Sequence, residues 1–324
     1  MKMLDKTLPL EELESSLTKT ESKAYYLSKL VYRHDKVVNN KAHILQRKLL
    51  NLKKQLFYGL TSYQKLCVAR HKRRPTTLDY IEYLLDSWIE LHGDRRGSDD
   101  PAIITGIGRI GRRSVVVLGQ QKGRNTKENV LRNFGMSSPG GYRKALRVME
   151  HANKFKLPIL TFIDTPGALA GVSAEKSGQA EAIATNLKKM FSFEVPIIST
   201  IIGEGGSGGA LGICIGNYVM MFENSIYTVA TPEACSSILW KDSTKAADAA
   251  EALKVRAEDL LTLKIIDEII PEPFGVAHDY PLLMVRILKN KIRDQLDFFD
   301  TFSPSELKHH RYLKFRKLGL YYDC

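Results

Sequence analysis

Five glycines and a serine crowd the segment Gly203-Glu204-Gly205-Gly206-Ser207-Gly208-Gly209-Ala210-Leu211. It follows directly on the apolar run Val195-Pro196-Ile197-Ile198-Ser199-Thr200-Ile201-Ile202. The β-branched run predicts a buried strand, and the glycine cluster predicts the start of the next helix. Backbone N–H groups at a helix start lack intrahelical partners and carry the positive end of the dipole. Glycine lets a ligand oxygen reach that bare backbone. The chemistry on offer is the holding of negative charge.

Three kinds of chemistry match this one loop. Gly203, Gly205 and Gly208 stand at G-x-G-x-x-G spacing, with Glu223 20 residues beyond the first, as in dinucleotide sites. That motif usually opens a domain, whereas here several predicted strands precede it. Gly205-Gly206-Ser207-Gly208-Gly209 also reads as G-x-S-x-G, which would make Ser207 a nucleophile with Asp267 and His278 downstream. Third, the Gly208 and Gly209 N–H groups can form an oxyanion hole. The turn Asp164-Thr165-Pro166-Gly167-Ala168, after a second predicted strand, favours this last reading. Two strand-end loops offering backbone donors suit a reaction through an enolate, which needs few ionisable catalytic groups. A glycine-rich turn that only packs a helix close to a strand is the plain alternative.

The elements that must position these loops follow from the pattern around them. Residues 10–70 predict two Leu/Lys/Glu-rich helices with a break near Val37-Val38-Asn39-Asn40. A helix capped by Thr77 is expected to reach about Leu91. Ile103-Ile104 and Ser114–Gly119 predict a strand pair turning at Gly108 to Arg112. A helix over Tyr142–Phe155, a strand over Leu157–Ile163 and a helix over Ala174–Met190 precede the glycine segment. Strands at Tyr218–Phe222 and Ser225–Val229 come next, then helices starting near Pro232 and Lys245 and a basic closing helix over Lys308–Phe315. Strand–helix alternation predicts an α/β domain with ligands beyond the carboxyl ends of the strands. We divide the chain into a basic helical arm (1–75), a catalytic α/β domain (76–290) and a helical tail (291–324).

Composition narrows the classes. The 324 residues are 44% hydrophobic and 26% charged, ordinary for a globular protein. No apolar run is long enough to cross a membrane, so no membrane association is expected. The opening Met1-Lys-Met-Leu-Asp-Lys-Thr lacks an apolar h-region, and no secretory signal is expected. Cys67, Cys214, Cys235 and Cys324 are scattered, which predicts no metal site in this chain and a reducing compartment. Residues 1–75 hold 12 Lys and 5 Arg against 4 Glu and 2 Asp, nearly all of the +12 net charge. That arm admits a nucleic-acid partner or a solvated helical surface.

Six further stretches sharpen the picture. Gln121-Lys122-Gly123-Arg124, Arg132-Asn133-Phe134-Gly135-Met136, Gly141–Arg147, Phe162–Ala168, Ile202–Leu211 and Ser237-Ile238-Leu239-Trp240-Lys241 together resemble one family. It is that of the carboxyltransferase α subunits of multi-subunit acetyl-CoA carboxylases. The resemblance runs from about Tyr63 to Tyr280, with a weaker echo at His310-Arg311-Tyr312.

The resemblance implies a ClpP/crotonase-like fold of repeated β-β-α units with an N-terminal helical arm. It implies an α₂β₂ assembly with the β subunit, which alone would carry zinc. It also implies work with the biotin carboxyl carrier protein and with biotin carboxylase, which uses ATP. Carboxybiotin and acetyl-CoA would be the substrates and malonyl-CoA the product, at the committed step of fatty-acid biosynthesis. Gly208 and Gly209 would form the oxyanion hole, Gly205, Gly206 and Ser207 would shape the approach, and Gly167 and Ala168 would line the cavity. Arg124, Arg132, Arg143 and Lys144 would contact CoA phosphates or the carboxybiotin carboxylate. The expected location is the cytoplasm, or the plastid stroma for a plastid-encoded chain. A stand-alone crotonase-type acyl-CoA hydratase or hydrolase is the second reading, and a nucleic-acid-binding protein the third.

Overall fold

The computed structural model describes residues 55–319 continuously, with Ile44, Arg47, Lys48, Leu50, Asn51 and Lys53 before them. Most of the two-helix arm, including its break at Val37–Asn40, lies outside the described residues. Beyond it, the chain forms α1 (Ser62–Ala69), α2 (Thr77–Leu84), β1 (Ser87–Glu90), β2 (Ile103–Ile110) and β3 (Arg113–Gln120). Next come α3 (Thr126–Leu131), α4 (Pro139–Lys154), β4 (Ile159–Thr165), α5 (Val172–Lys176) and α6 (Gln179–Ser192). The glycine segment spans the end of β5 (Ile197–Gly206) and all of α7 (Ser207–Leu211). β6 (Tyr218–Phe222), β7 (Ile226–Thr228), α8 (Pro232–Trp240), α9 (Ala246–Ala252), α10 (Ala257–Thr262) and β8 (Glu268–Ile270) follow. Helices α11 (Pro281–Phe299) and α12 (Pro304–Arg316) close the chain.

The strands form one sheet in the order β1-β2-β3-β4-β5-β6-β8, with β7 paired to the far end of β5. β1, β2 and β3 are antiparallel, and from β3 onward every pairing is parallel. Strand residues alternate between the two faces. Val116, Leu118, Ile159, Ile163, Ile197 and Ile201 face Ala145, Val148 and Met149 of α4 and Met190 of α6. Val115, Val117, Leu160, Phe162, Ile198 and Ile202 face Tyr80, Ile81 and Leu84 of α2 and the Met284–Leu296 stripe of α11. The result is three layers, helices on both sides of a buried sheet.

Several boundaries differ from the sequence reading, each for a local reason. The helix expected to reach Leu91 ends at Leu84, because β1 peels off to pair with β2. Its cap is Thr76, whose N–H donates to Asp79 (2.8 Å), while the Thr77 hydroxyl donates to the Gln120 carbonyl. Gly108 belongs to β2, not the turn, and a Cβ there would lie 2.5 Å from Leu85. The helix expected over Ala174–Met190 is broken into α5 and α6 at Gly178, which is left-handed (φ 82°). Gly203, Gly205 and Gly206 are strand, not helix start, since Gly205 and Gly206 pair with Tyr227 and Thr228. The boundary drawn at 290/291 falls inside α11.

α12 carries a buried arginine that ties it to the domain. The fully buried Arg311 guanidinium donates to the carbonyls of Met190 (2.6 Å), Phe193 (2.8 Å) and Val195 (2.7 Å) and to Asn217 Oδ1 (2.6 Å). Met190 sits in the last turn of α6, where unpaired carbonyls carry the negative end of the dipole. Among the described residues no carboxylate bonds to it, and burial pulls its pKa down to about 9. Arg311→Ala orphans these acceptors and should cost at least about 3 kcal/mol in urea unfolding. Arg311→Lys should recover little, because one ammonium cannot span the fork. A loss below about 1 kcal/mol for the alanine variant would contradict this account.

Candidate active site

Three parallel strands deliver their carboxyl ends to one edge, and an ion cluster around two buried carboxylates fastens them there. Lys122 Nζ, just past β3, lies 2.7 Å from Asp164 Oδ1 of β4 and 2.6 Å from Glu204 Oε2 of β5. Arg70, at the end of α1, reaches Glu204 Oε1 (2.7 Å) and Glu233 (2.7 Å). The Glu204 N–H also donates to Asp164 Oδ1 at 3.0 Å. Burial opposes ionisation of Glu204, but Lys122 and Arg70 outweigh it and hold the carboxyl below its ordinary value. Burial likewise opposes charge on Lys122, and Asp164 and Glu204 reverse it.

The glycines fit around this cluster. A Cβ on Gly203 would meet Asp164 Oδ1 at 2.4 Å, so the carboxylate occupies the space a side chain would need. On Gly206 it would meet the Pro166 carbonyl oxygen at 2.0 Å, and on Gly209 the Gly167 carbonyl carbon at 2.3 Å. The Asp164–Ala168 turn and the glycine segment are therefore in direct backbone contact. Gly167 and Ala168 are half-buried beside Gly209. Ser207 turns the chain from β5 into α7 in the left-handed region (φ 49°), with its side chain exposed. The Gly208 and Gly209 N–H groups reach no acceptor among the described residues. The Gly209 carbonyl, by contrast, accepts from Gln120 Nε2 and from the Tyr142 hydroxyl, both at 3.0 Å.

The geometry thus brings together Gly205, Gly206, Ser207, Gly208, Gly209, Gly167 and Ala168. Arg124 pairs with Asp79 at a cleft of about 300 Å³ that Arg70, Lys122 and Asp164 also line. The other cations serve the chain itself. Arg132 donates to the Pro101 carbonyl (2.6 Å), and Arg143 to Asp94 (3.1 Å) and the Ser177 carbonyl (3.1 Å). Lys144 is a correction: its buried ammonium is taken by Asp99 (2.6 Å) and the Asp100 carbonyl (2.7 Å), leaving it unavailable to a ligand. The hydrolase constellation does not assemble either. Asp267 accepts from the Val219 N–H (2.7 Å) and Lys314, while His278 is buried and stacked on His71 with centroids 3.9 Å apart. No hydrogen bond joins Ser207, Asp267 and His278 among the described residues.

Comparison with known proteins fits this edge. The family profile described as "Acetyl co-enzyme A carboxylase carboxyltransferase-like" matches residues 9–319. The acetyl-coenzyme A carboxylase carboxyl transferase subunit alpha of Pyropia yezoensis is 55% identical over 315 residues, covering 97% of this chain and 95% of that protein. Its counterpart in Thermosynechococcus vestitus is 56% identical over 322 residues, covering 99% and 97%. The chain belongs to the family of acetyl-CoA carboxylase carboxyltransferase α subunits. It is accordingly a transferase component, and the α designation implies a multi-subunit complex with a β subunit. Among solved structures, transcarboxylase 12S superposes with a TM-score of 0.57 at 18% identity, covering 69% of this chain and 41% of that one. A Pseudomonas malonate decarboxylase chain gives 0.57 at 16%, covering 74% and 92%. These likenesses establish the crotonase-like fold.

Reasoning from sequence missed Gln120, Tyr142, Glu204 and Arg70 as parts of the site. Tyr142 and Glu204, like Lys122, stand inside quoted motifs (Gly141–Arg147, Ile202–Leu211 and Gln121–Arg124), but no spacing there assigned them a role. Gln120 and Arg70, a strand-end amide and one arginine in a basic arm, stand outside all six.

Two measurements check the electrostatics. Lys122→Met leaves the buried carboxylates of Asp164 and Glu204 short of a partner and should cost about 3–5 kcal/mol of unfolding free energy. Arg124→Ala, at an exposed pair, should cost no more than about 1 kcal/mol, and equal losses would refute the distinction. For His278, burial and then the charge of the stacked His71 hold the pKa down to about 3. The unfolded chain, near 6.5, binds the proton first, so this contribution is full above about pH 6.5 and drains away toward pH 3. His278→Gln should lose about 2 kcal/mol less than the parent between pH 7 and 4.5, read from urea midpoints. Parallel curves would show that the imidazole does not carry the acid limb.

Proposed function

We propose that this chain provides half of an active site that moves a carboxyl group from carboxybiotin, on the biotin carboxyl carrier protein, to acetyl-CoA. The product is malonyl-CoA, at the committed step of fatty-acid biosynthesis. The observation that carries this reading is the pair of N–H groups at Gly208 and Gly209, unpartnered among the described residues and set against the Gly167–Ala168 backbone at the strand ends.

Bound carboxybiotin would supply the carboxyl group and, once it is released, the base for the acetyl methyl. The residues present fit a ureido oxygen. A Cβ at Gly206 or Gly209 would strike the Pro166–Ala168 backbone, so glycine there holds the donors close against that turn. Charge developing on that oxygen would be received by the Gly208 and Gly209 N–H groups, already fixed before the reaction, where each donor is worth on the order of 10²–10³ in rate. Gly205, Gly206 and Ser207 would shape the approach, Gly167 and Ala168 would wall the cavity, and Arg124 would meet an anionic group at the cleft mouth. None of these groups needs to transfer a proton, which accords with the absence of a Ser207–Asp267–His278 relay.

The β subunit would complete the site in an α₂β₂ assembly, carry the zinc and contribute most of the CoA contacts, while biotin carboxylase consumes the ATP. The thiols of Cys214 and Cys235 suit a reducing compartment, and we place the complex in the cytoplasm or plastid stroma.

Malonyl-CoA decarboxylation with biocytin as acceptor tests the reading. The chain alone should be inactive, and the chain with β subunit active. Gly209→Val with β, shown by gel filtration to assemble, should lose at least about 10²-fold. Activity from the chain alone would point instead to a self-sufficient acyl-CoA enzyme. An assembled but inactive α₂β₂ complex would sink the assignment.

A further inference from the structure

Gln120 is the last residue of β3 and is fully buried. Both ends of its side-chain amide are used, and each goes to a different loop. Nε2 donates to the Gly209 carbonyl at 3.0 Å, and Oε1 accepts the Asp164 N–H at 3.1 Å. Its own carbonyl accepts the Thr77 hydroxyl at 2.5 Å, so the side chain hangs from a fixed point. α7 is too short to hold itself. The Ile213 N–H goes to Ala210 and not to Gly209, leaving the Gly209 carbonyl to Gln120 and the Tyr142 hydroxyl. Asn186 adds a third buried tie, donating to the Gly212 carbonyl at 3.1 Å.

We infer that Gln120 is a positioning residue for carboxyl transfer, its amide tying the Asp164 turn to Gly209 and so fixing where the oxyanion donors point. The inference rests on the carboxyl-transfer reading above. It is specific to an amide. Leucine matches the size but orphans the Gly209 carbonyl and the Asp164 N–H, while only a group that donates at one end and accepts at the other joins both loops. Neighbouring Gln121 is the contrast. Equally buried, it accepts the Leu78 N–H (2.9 Å) and donates to the Lys122 carbonyl (2.7 Å), serving α2 rather than the glycine segment.

The test uses the assembled α₂β₂ complex and biocytin-dependent malonyl-CoA decarboxylation. Gln120→Leu should lower kcat on the order of 10²-fold with the KM for malonyl-CoA unchanged, the effect of donors moved by a fraction of an ångström. Gln121→Leu should reduce stability but keep kcat. Gln120→Glu gives a readout that a purely structural role would not move. Protonated, the carboxyl donates and accepts like the amide, and ionised it can only accept. Its activity relative to wild type, measured at each pH well below the melting temperature, should rise as pH falls. The titratable groups in the same cluster are Tyr142, which shares the Gly209 acceptor, and Asp164, whose carboxylate is paired with Lys122. Wild-type kcat in Gln120→Leu, or a pH-independent ratio for Gln120→Glu, overturns the inference while leaving carboxyl transfer standing. An inactive wild-type complex instead removes the reading on which it rests.

Discussion

The half-buried Lys122 ammonium, held between the buried carboxylates of Asp164 and Glu204, is the constraint on which the rest of the site edge depends. Taking three charges out of water is costly unless geometry is maintained closely, so the ends of β3, β4 and β5 cannot splay independently. β4 and β5 fall out of simple register here, Ile163 pairing with Ile201 but Thr165 with Gly205. Glu204 lies within the β5 segment where that register shifts. With the strand ends drawn together, only glycine fits at 203 and 206, beside Asp164 and Pro166.

Packing at the glycine segment and the chemistry proposed for it draw on the same contacts. The contacts that forbid a side chain at Gly206 and Gly209 are those that set the Asp164–Ala168 turn against α7. Close packing consumes the Gly209 carbonyl through Gln120 and Tyr142 but leaves the N–H side of the same backbone open. A longer helix would have bonded its carbonyls internally. This one-turn helix depends on buried side chains from β3, α4 and α6, which makes its donors part of a rigid frame.

The basic arm divides in a similar way. Its charge suggests a surface for polyanions, yet one of its arginines is internal and another, exposed, is tied to a buried acid. Arg74 is 6% exposed, donates to the Ile202 carbonyl (2.8 Å) and forms a forked pair with Glu272. Arg70 closes the Glu204 side of the ion cluster. Glu272 in turn accepts the N–H groups of Asn224 (3.0 Å) and Ala277 (2.7 Å), so the end of the arm is built into the catalytic domain.

The sequence by itself determined the α/β class, the strands at 103–104, 114–119, 159–163 and 197–202, and the two loops that would meet at their carboxyl ends. Those features rest on local runs of β-branched residues and on glycine and proline, whose backbone preferences act within a few residues. It also determined the family, because six motifs stand in register over the domain. Only the tertiary structure decided that β5 continues through Gly206, that Lys144 is a buried structural cation, and that Gln120, Glu204 and Arg70 belong to the site. Each depends on partners far along the chain, such as Glu204 with Arg70 134 residues away and Gln120 with Gly209 89 away. No periodicity within one segment records a hydrogen bond to another, so these roles become visible only when the sheet brings the strand ends together.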